Sequence, residues 1–125
     1  MAIRNSTLLL CLFLVSPAHA SDWFTPLTDA DKVRLGIYAV THVIDWGQTL
    51  YISEHPTEHY EFNPLLPDHP TRGEVNRYFV ATGLIHYGIV RALPREYRPW
   101  FQWFTISFNS ALIAHNAQVG IRVEF

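Results

Sequence analysis

The chain has 125 residues, a formal net charge of −2 and one cysteine, Cys11. Nine Lys and Arg against eleven Asp and Glu give no basic footprint for nucleic acid, so a nucleic-acid partner is not expected. The length allows one domain, whose core would be marginal in water because small chains bury a smaller share of their surface.

Residues 1–20 read as a secretory signal peptide. Arg4 supplies a basic start, Leu8 to Val15 an apolar run too short for a bilayer, and Ala18, His19, Ala20 a small-residue cleavage pattern before Ser21. Residues 21–125 then form a single helical domain without a thiol, which excludes disulfides, zinc-thiolate sites and a cysteine nucleophile.

Three apolar segments follow. Val33 to Ile52 carries only Arg34 and Asp45 as formal charges and as a helix would be roughly 30 Å long, a hydrocarbon thickness. Thr28, Asp29, Ala30 and Asp31 before it form a capping-type entry with acids near the helix start. Val75 to Leu93 is stopped by Pro94, and Trp100 to Val119 is preceded by Pro99, tolerated just inside a helix start. The link at 53–74 holds Pro56, Pro64, Pro67, Pro70 and Gly73 and is predicted irregular; Phe62, Leu65 and Leu66 suggest that it packs. The alternation of Val119, Ile121, Val123 and Phe125 is read as a helix tail or short extension, since no upstream strands would complete a barrel.

The polar residues inside these segments carry the functional argument. At 3.6 residues per turn, Tyr38, Thr41, His42, Asp45 and Thr49 share one face of the first helix, with Gln48 at its edge. Phe79, Thr82, Gly83 and His86 share a face of the second. Gln102, Thr105, Asn109 and Asn116 line the third, leaving His115 about 120 degrees away. Burying such groups unpaired costs roughly 2 to 7 kcal/mol each, so the stripes are expected to face one another. The opposite faces carry Ile37, Val40, Ile44, Leu84, Ile85, Ile89, Phe104, Phe108 and Ala111 without Lys or Glu, too apolar for a monomer in water. Trp23, Trp46, Trp100 and Trp103 lie near segment ends, where interfacial belts sit. A membrane bundle is therefore expected, with a water-soluble periplasmic bundle as the alternative. Against the membrane, a cleaved leader would place the Arg91, Arg95, Arg98 turn outside, opposite to the positive-inside tendency.

Several chemistries fit these residues. A buried hydrogen-bond network would pair Asp45 with His42, His86 or Arg77. A metal site of His42, Asp45 and His86 would suit zinc or another divalent ion and, with Glu61 as general base, would support hydrolysis. A proton relay could use the same Asp and His groups. In the loop, Asn63 before Pro64 starts a turn that would direct Glu61 and Phe62 toward the helices, with Leu65 and Leu66 as anchors. Arg91, Arg95 and Arg98 would snorkel to headgroups.

Asp45, Trp46, Gly47, Gln48 and Thr49, then Glu61, Asn63 and Pro64, then Val75, Tyr78, Phe79, His86, Leu93, Pro94, Arg98, Gln102, Asn116, Gly120 and Ile121 resemble a group of short exported or membrane-associated proteins of proteobacteria and their phages. The resemblance covers nearly all of the chain after the leader and implies an architecture and a polar cluster but no reaction; relatives carry an acidic residue where this chain has Asn109. The combined expectation is an all-α, three-helix antiparallel bundle, transmembrane and located in the bacterial inner membrane. Its polar or binding cluster comprises Asp45, Gln48, Thr49, Glu61, Asn63, His86, Gln102 and Asn116. It would need no cofactor and act through lipid, a protein partner or a second copy of itself. The competing expectation is a metal-dependent membrane hydrolase.

Overall fold

The computed structural model describes residues 22–125, so the expected signal peptide lies outside the described residues. Those residues form three helices and no strand: α1 Asp29–Glu54, α2 Arg72–Ala92 and α3 Arg98–Gln118.

Two reciprocal capping boxes set the starts of α1 and α2. The Thr28 hydroxyl accepts from the Asp31 N–H at 3.0 Å while the Asp31 carboxylate accepts from the Thr28 N–H at 2.9 Å. Thr71 and Glu74 repeat the arrangement. Each box satisfies two otherwise orphaned donors, so both helices begin before the apolar periodicity does, at Asp29 rather than Val33 and at Arg72 rather than Val75. The Thr71 N–H, and then its hydroxyl, hold the Glu74 carboxyl below its usual pKa. Pro99 sits in the first turn of α3, where its missing N–H leaves nothing unpaired.

The end of α3 has a different logic. Gly120 lies in the left-handed region at φ 85°; its N–H donates to Ala117 O at 3.2 Å and the Ile121 N–H to Asn116 O at 2.9 Å. This is a Schellman cap. It turns residues 121–125 back along α1, where Glu124 N–H donates to Gly47 O at 3.0 Å. A Cβ at Gly47 would lie 2.5 Å from Val123 Cγ1, so the glycine makes room for the tail. Gly120→Ala is expected to lower stability by about 1 kcal/mol because a Cβ is strained at that φ. Thermal unfolding checks this, and an unchanged midpoint would show that the cap does not hold the tail.

Contacts between helices define the topology. Arg98 at the start of α3 meets Asp31 at the start of α1, and Asn116 near the end of α3 meets Gln48 in the second half of α1; these two helices run parallel. Trp46 of α1 bonds Asn76 early in α2, while Tyr38 stacks on His86 late in α2, so α2 runs antiparallel to both. α1 is the central element and packs on both others, whereas α2 and α3 touch little. The apolar core is small: Leu50, Val75 and Phe79, flanked by Trp46 and Tyr78.

The loop at 55–71 is irregular but ordered by its own bonds. Glu61 N–H donates to Asp68 O at 2.8 Å, and Asn63 Oδ1 accepts from Leu65 N–H at 3.0 Å in an Asx turn. Arg72 and Glu54 form an ion pair at 2.6 Å across the loop's ends. Leu65 is exposed rather than an anchor, and Phe62, also exposed, meets His115 edge-on at 5.3 Å.

Among the described residues no helix is long and apolar enough to cross a membrane, against the three spans expected from the sequence. Length is not what fails, since 21 residues rise roughly 31 Å. What lowers the apolar character of each helix is its stripe of polar residues.

Candidate functional site

All three stripes are turned inward. Asp45, Gln48 and Thr49 of α1, His86 of α2, and Gln102, Asn109 and Asn116 of α3 are buried, and His115 is exposed. They do not form one cluster, because each occupies a different level along the bundle.

At the first level lies an ionic network centred on Arg98, which is wholly buried. Its five N–H groups all find acceptors. Nε donates to Leu93 O at 2.8 Å; one terminal nitrogen donates to Pro26 O and Asp31 Oδ2, both at 3.1 Å; the other donates to Thr25 O at 2.7 Å and Thr25 Oγ1 at 3.0 Å. Asp31 also pairs with Arg34 at 2.7 Å. Gln102 closes the network, accepting from Arg34 Nε at 2.6 Å and donating to Asp31 O at 3.1 Å. Burial pushes the Asp31 carboxyl up, but the Thr28 N–H and hydroxyl, Arg98 and Arg34 outweigh it and hold the pKa below its usual value. Arg98 is thus a clasp between the chain before α1, the turn after α2 and α3, and not a headgroup ligand. Arg91 reaches Thr25 O at 3.4 Å, leaving Arg95 as the exposed member of the trio.

The second level is a column of rings. Phe101 stacks on His86 with centroids 5.0 Å apart, His86 on Tyr38 at 3.4 Å and 4°, and Tyr38 on His42 at 5.1 Å. The column continues through Phe79 to Trp46. His42 Nε2 lies 2.8 Å from Phe79 O, which can only accept, so the network assigns the proton to Nε2; Nδ1 then accepts from the Tyr38 hydroxyl at 3.2 Å. Both nitrogens of His42 are engaged. His86 Nε2 is buried without a partner.

At the third level Asp45 faces a cavity of about 100 Å³ between all three helices and the loop, lined also by Asn63, Tyr78, Thr82, Phe108 and Asn109. No donor among the described residues bonds the Asp45 carboxylate, so the expected pairing with His42, His86 or Arg77 is not made. Tyr38 and His42 line both this cavity and the groove at His86, and so stand between Asp45 and His86. Glu61 acts on Asp45 electrostatically. Its Oε1 accepts from Asn63 N–H at 2.8 Å, while Oε2 is buried without a partner. Asn63 Nδ2 donates to the Tyr78 hydroxyl at 2.6 Å, which ties the loop to α2. Asn109 Nδ2 is a further buried atom without a partner.

The fourth level is self-contained. Asn116 Nδ2 donates to Gln48 Oε1 at 3.2 Å, and Gln48 Nε2 to Ile113 O at 3.3 Å.

Among the described residues no group of three or more His, Cys, Asp or Glu is placed to hold a metal ion. The trio His42, Asp45 and His86 is not a ligand set, since His42 has no free nitrogen and His86 lies beyond the Tyr38 ring. Sequence reasoning missed the role of Arg98, and the only signal for it was an arginine at a helix start with a capping aspartate 67 positions earlier. No family model, curated protein or solved structure matches this chain.

Proposed function

We propose that this is a small membrane protein whose outward faces contact lipid and whose inward polar residues hold the helices in register around the Asp45 cavity. The observation that carries the reading is an inverted distribution of polarity. Among the described residues nine polar or charged ones are buried, more than the eight apolar ones, while Val33, Val40, Leu84, Ile85, Phe104 and Phe108 are each more than half exposed. In water this arrangement would expose large contiguous apolar surface; in lipid, inward-facing polar groups and outward-facing apolar ones are the stable choice.

The polar stripe that lowers the hydropathy of each helix taken singly is the part that lipid would not meet. Between Arg77 and Arg91 the thirteen residues of α2 carry no formal charge, a length of roughly 20 Å. That is short for a hydrocarbon core of about 30 Å, and snorkelling of Arg77 and local thinning would make up the difference. Charged residues sit at both ends of the bundle: Asp29, Lys32 and Arg95 at one, Glu54, Arg72 and Glu124 at the other. This favours both ends in water over insertion from one end.

Fractionation of cells expressing the full chain tests the reading. The protein is expected in the membrane pellet, resistant to alkaline carbonate and released by detergent. Release by osmotic shock as a soluble monomer would overturn it.

A further inference from the structure

We infer that the Asp45 cavity binds the protonated head of a primary amine whose apolar chain leaves the bundle between α2 and α3. The inference rests on the reading of the bundle as lipid-embedded.

An unanswered negative charge supplies the first argument. Asp45 is 8% exposed and accepts no hydrogen bond from a described residue. No Lys or Arg lines the cavity, and Arg34 and Arg98 are spent on Asp31, Arg72 on Glu54 and Lys32 on Asp29. Glu61, outside the lining, adds negative charge nearby. A carboxyl so placed takes up a proton or finds a cation, and in a lipid-embedded protein it marks a functional site.

The walls decide which cation. Asp45 is the one carboxylate in the lining, which it shares with the rings of Tyr38, Tyr78, Phe79 and Phe108. Aromatic rings around a single acid suit an organic ammonium, which pairs with the carboxylate and is attracted by the ring faces. His42 is engaged at both nitrogens and supplies no competing charge. A primary ammonium brings three N–H donors, and the lining offers acceptors for them. Asp45 is the first. Thr82 Oγ1 commits its hydrogen to Tyr78 O at 2.8 Å, which leaves lone pairs to accept. Asn109, 9% exposed and lining the same space, adds an amide oxygen.

Size and shape give the ligand its chain. The cavity holds about 100 Å³, comparable with roughly three waters at about 30 Å³ each, so it takes an ammonium and its first methylenes and no more. Phe108 lines the cavity yet is 56% exposed, and the helices on either side of it, α2 and α3, touch little. The seam at Phe108 is therefore the way out. Phe104, one turn away on the same side of α3, is 70% exposed and continues an apolar path along which a chain would meet lipid.

The test uses the full chain in nonionic detergent micelles at about pH 7 with n-octylamine as the probe, charged there as a lysine side chain is. Trp46 stacks on Phe79, a wall of the cavity, with centroids 5.8 Å apart, so tryptophan fluorescence follows both binding and thermal unfolding. Octylamine is expected to raise the unfolding midpoint by several degrees with the concentration dependence of a saturable site, while octan-1-ol, the same chain without the charge, does not. Asp45→Asn should abolish the rise, and Thr82→Val should move its half-point several-fold to higher concentration; the second variant carries the test if the first fails to fold. No saturable rise with octylamine, an equal rise with octan-1-ol, or a wild-type response in the variant that carries the test would each overturn the inference. An equal response to methylammonium chloride at the same concentration would overturn the assignment of an apolar chain. Carbonate extraction of the same variants separates the two proposals, since loss of the amine response with retention in the membrane pellet leaves the lipid reading intact.

Discussion

Arg98→Met is expected to destabilise the bundle by about 3 kcal/mol, because removing one partner of a buried ion pair leaves the other charge and its neighbours uncompensated. Five donors disappear together, stranding Leu93 O, Pro26 O, Thr25 O and one side of Asp31. Arg34 and Thr28 still hold Asp31, which keeps the loss toward the lower end of the range for broken buried pairs. The double variant Arg98→Met, Asp31→Asn should recover part of the loss, since the stranded charge is then gone; the cycle isolates the coupling. The same network predicts a pH dependence. The folded pKa of Asp31 lies below the usual value of 3.8, so its contribution is present above that value and is lost as pH falls through the folded pKa. Acidification below about pH 4 should lower the wild-type unfolding midpoint more steeply than that of the double variant. A single variant within 1 kcal/mol of wild type would mean that the clasp is dispensable.

The faces of the helices were legible in the sequence because a 3.6-residue period is enough to put Tyr38, Asp45 and Thr49 on one side of α1 and Leu84 and Ile85 on the outside of α2. Their partners were not. Periodicity gives an angle around an axis but no level along it, so the inward residues looked like one cluster. In the fold Gln102 is claimed by Arg34 and Asp31 at one end, and Asn116 by Gln48 nearer the other. Helix starts were misjudged for a related reason. The Thr71 and Glu74 box lies in a stretch whose Pro70 and Gly73 announce a loop, and the capping bonds extend α2 into it. Asp45 is the most instructive case. A lone carboxylate among imidazoles and amides invites a hydrogen-bonded pairing, yet His42 is committed to Tyr38 and a backbone carbonyl, and the acid is left facing empty space with Glu61 as its charged neighbour.

Leu84→Lys distinguishes a lipid environment from water by the size of its effect. Leu84 is 69% exposed and lies seven residues from both Arg77 and Arg91, at the middle of the uncharged stretch. On a surface facing water, such a substitution changes stability by no more than about 0.5 kcal/mol either way and would aid solubility. At the centre of a helix facing hydrocarbon, a lysine costs about 2.5–3.5 kcal/mol, and the favourable contribution of the leucine is lost as well. The charge cannot be relieved by turning inward, because the interior side of α2 is filled by Phe79 and His86. The variant is therefore expected to show a several-fold lower carbonate-resistant fraction than wild type, while Arg95→Ala, which removes an exposed charge at the bundle end, leaves that fraction unchanged. Undiminished membrane retention of Leu84→Lys, or its appearance as a well-behaved monomer without detergent, would mean that this face never meets lipid; the inward polar stripes would then need a different explanation.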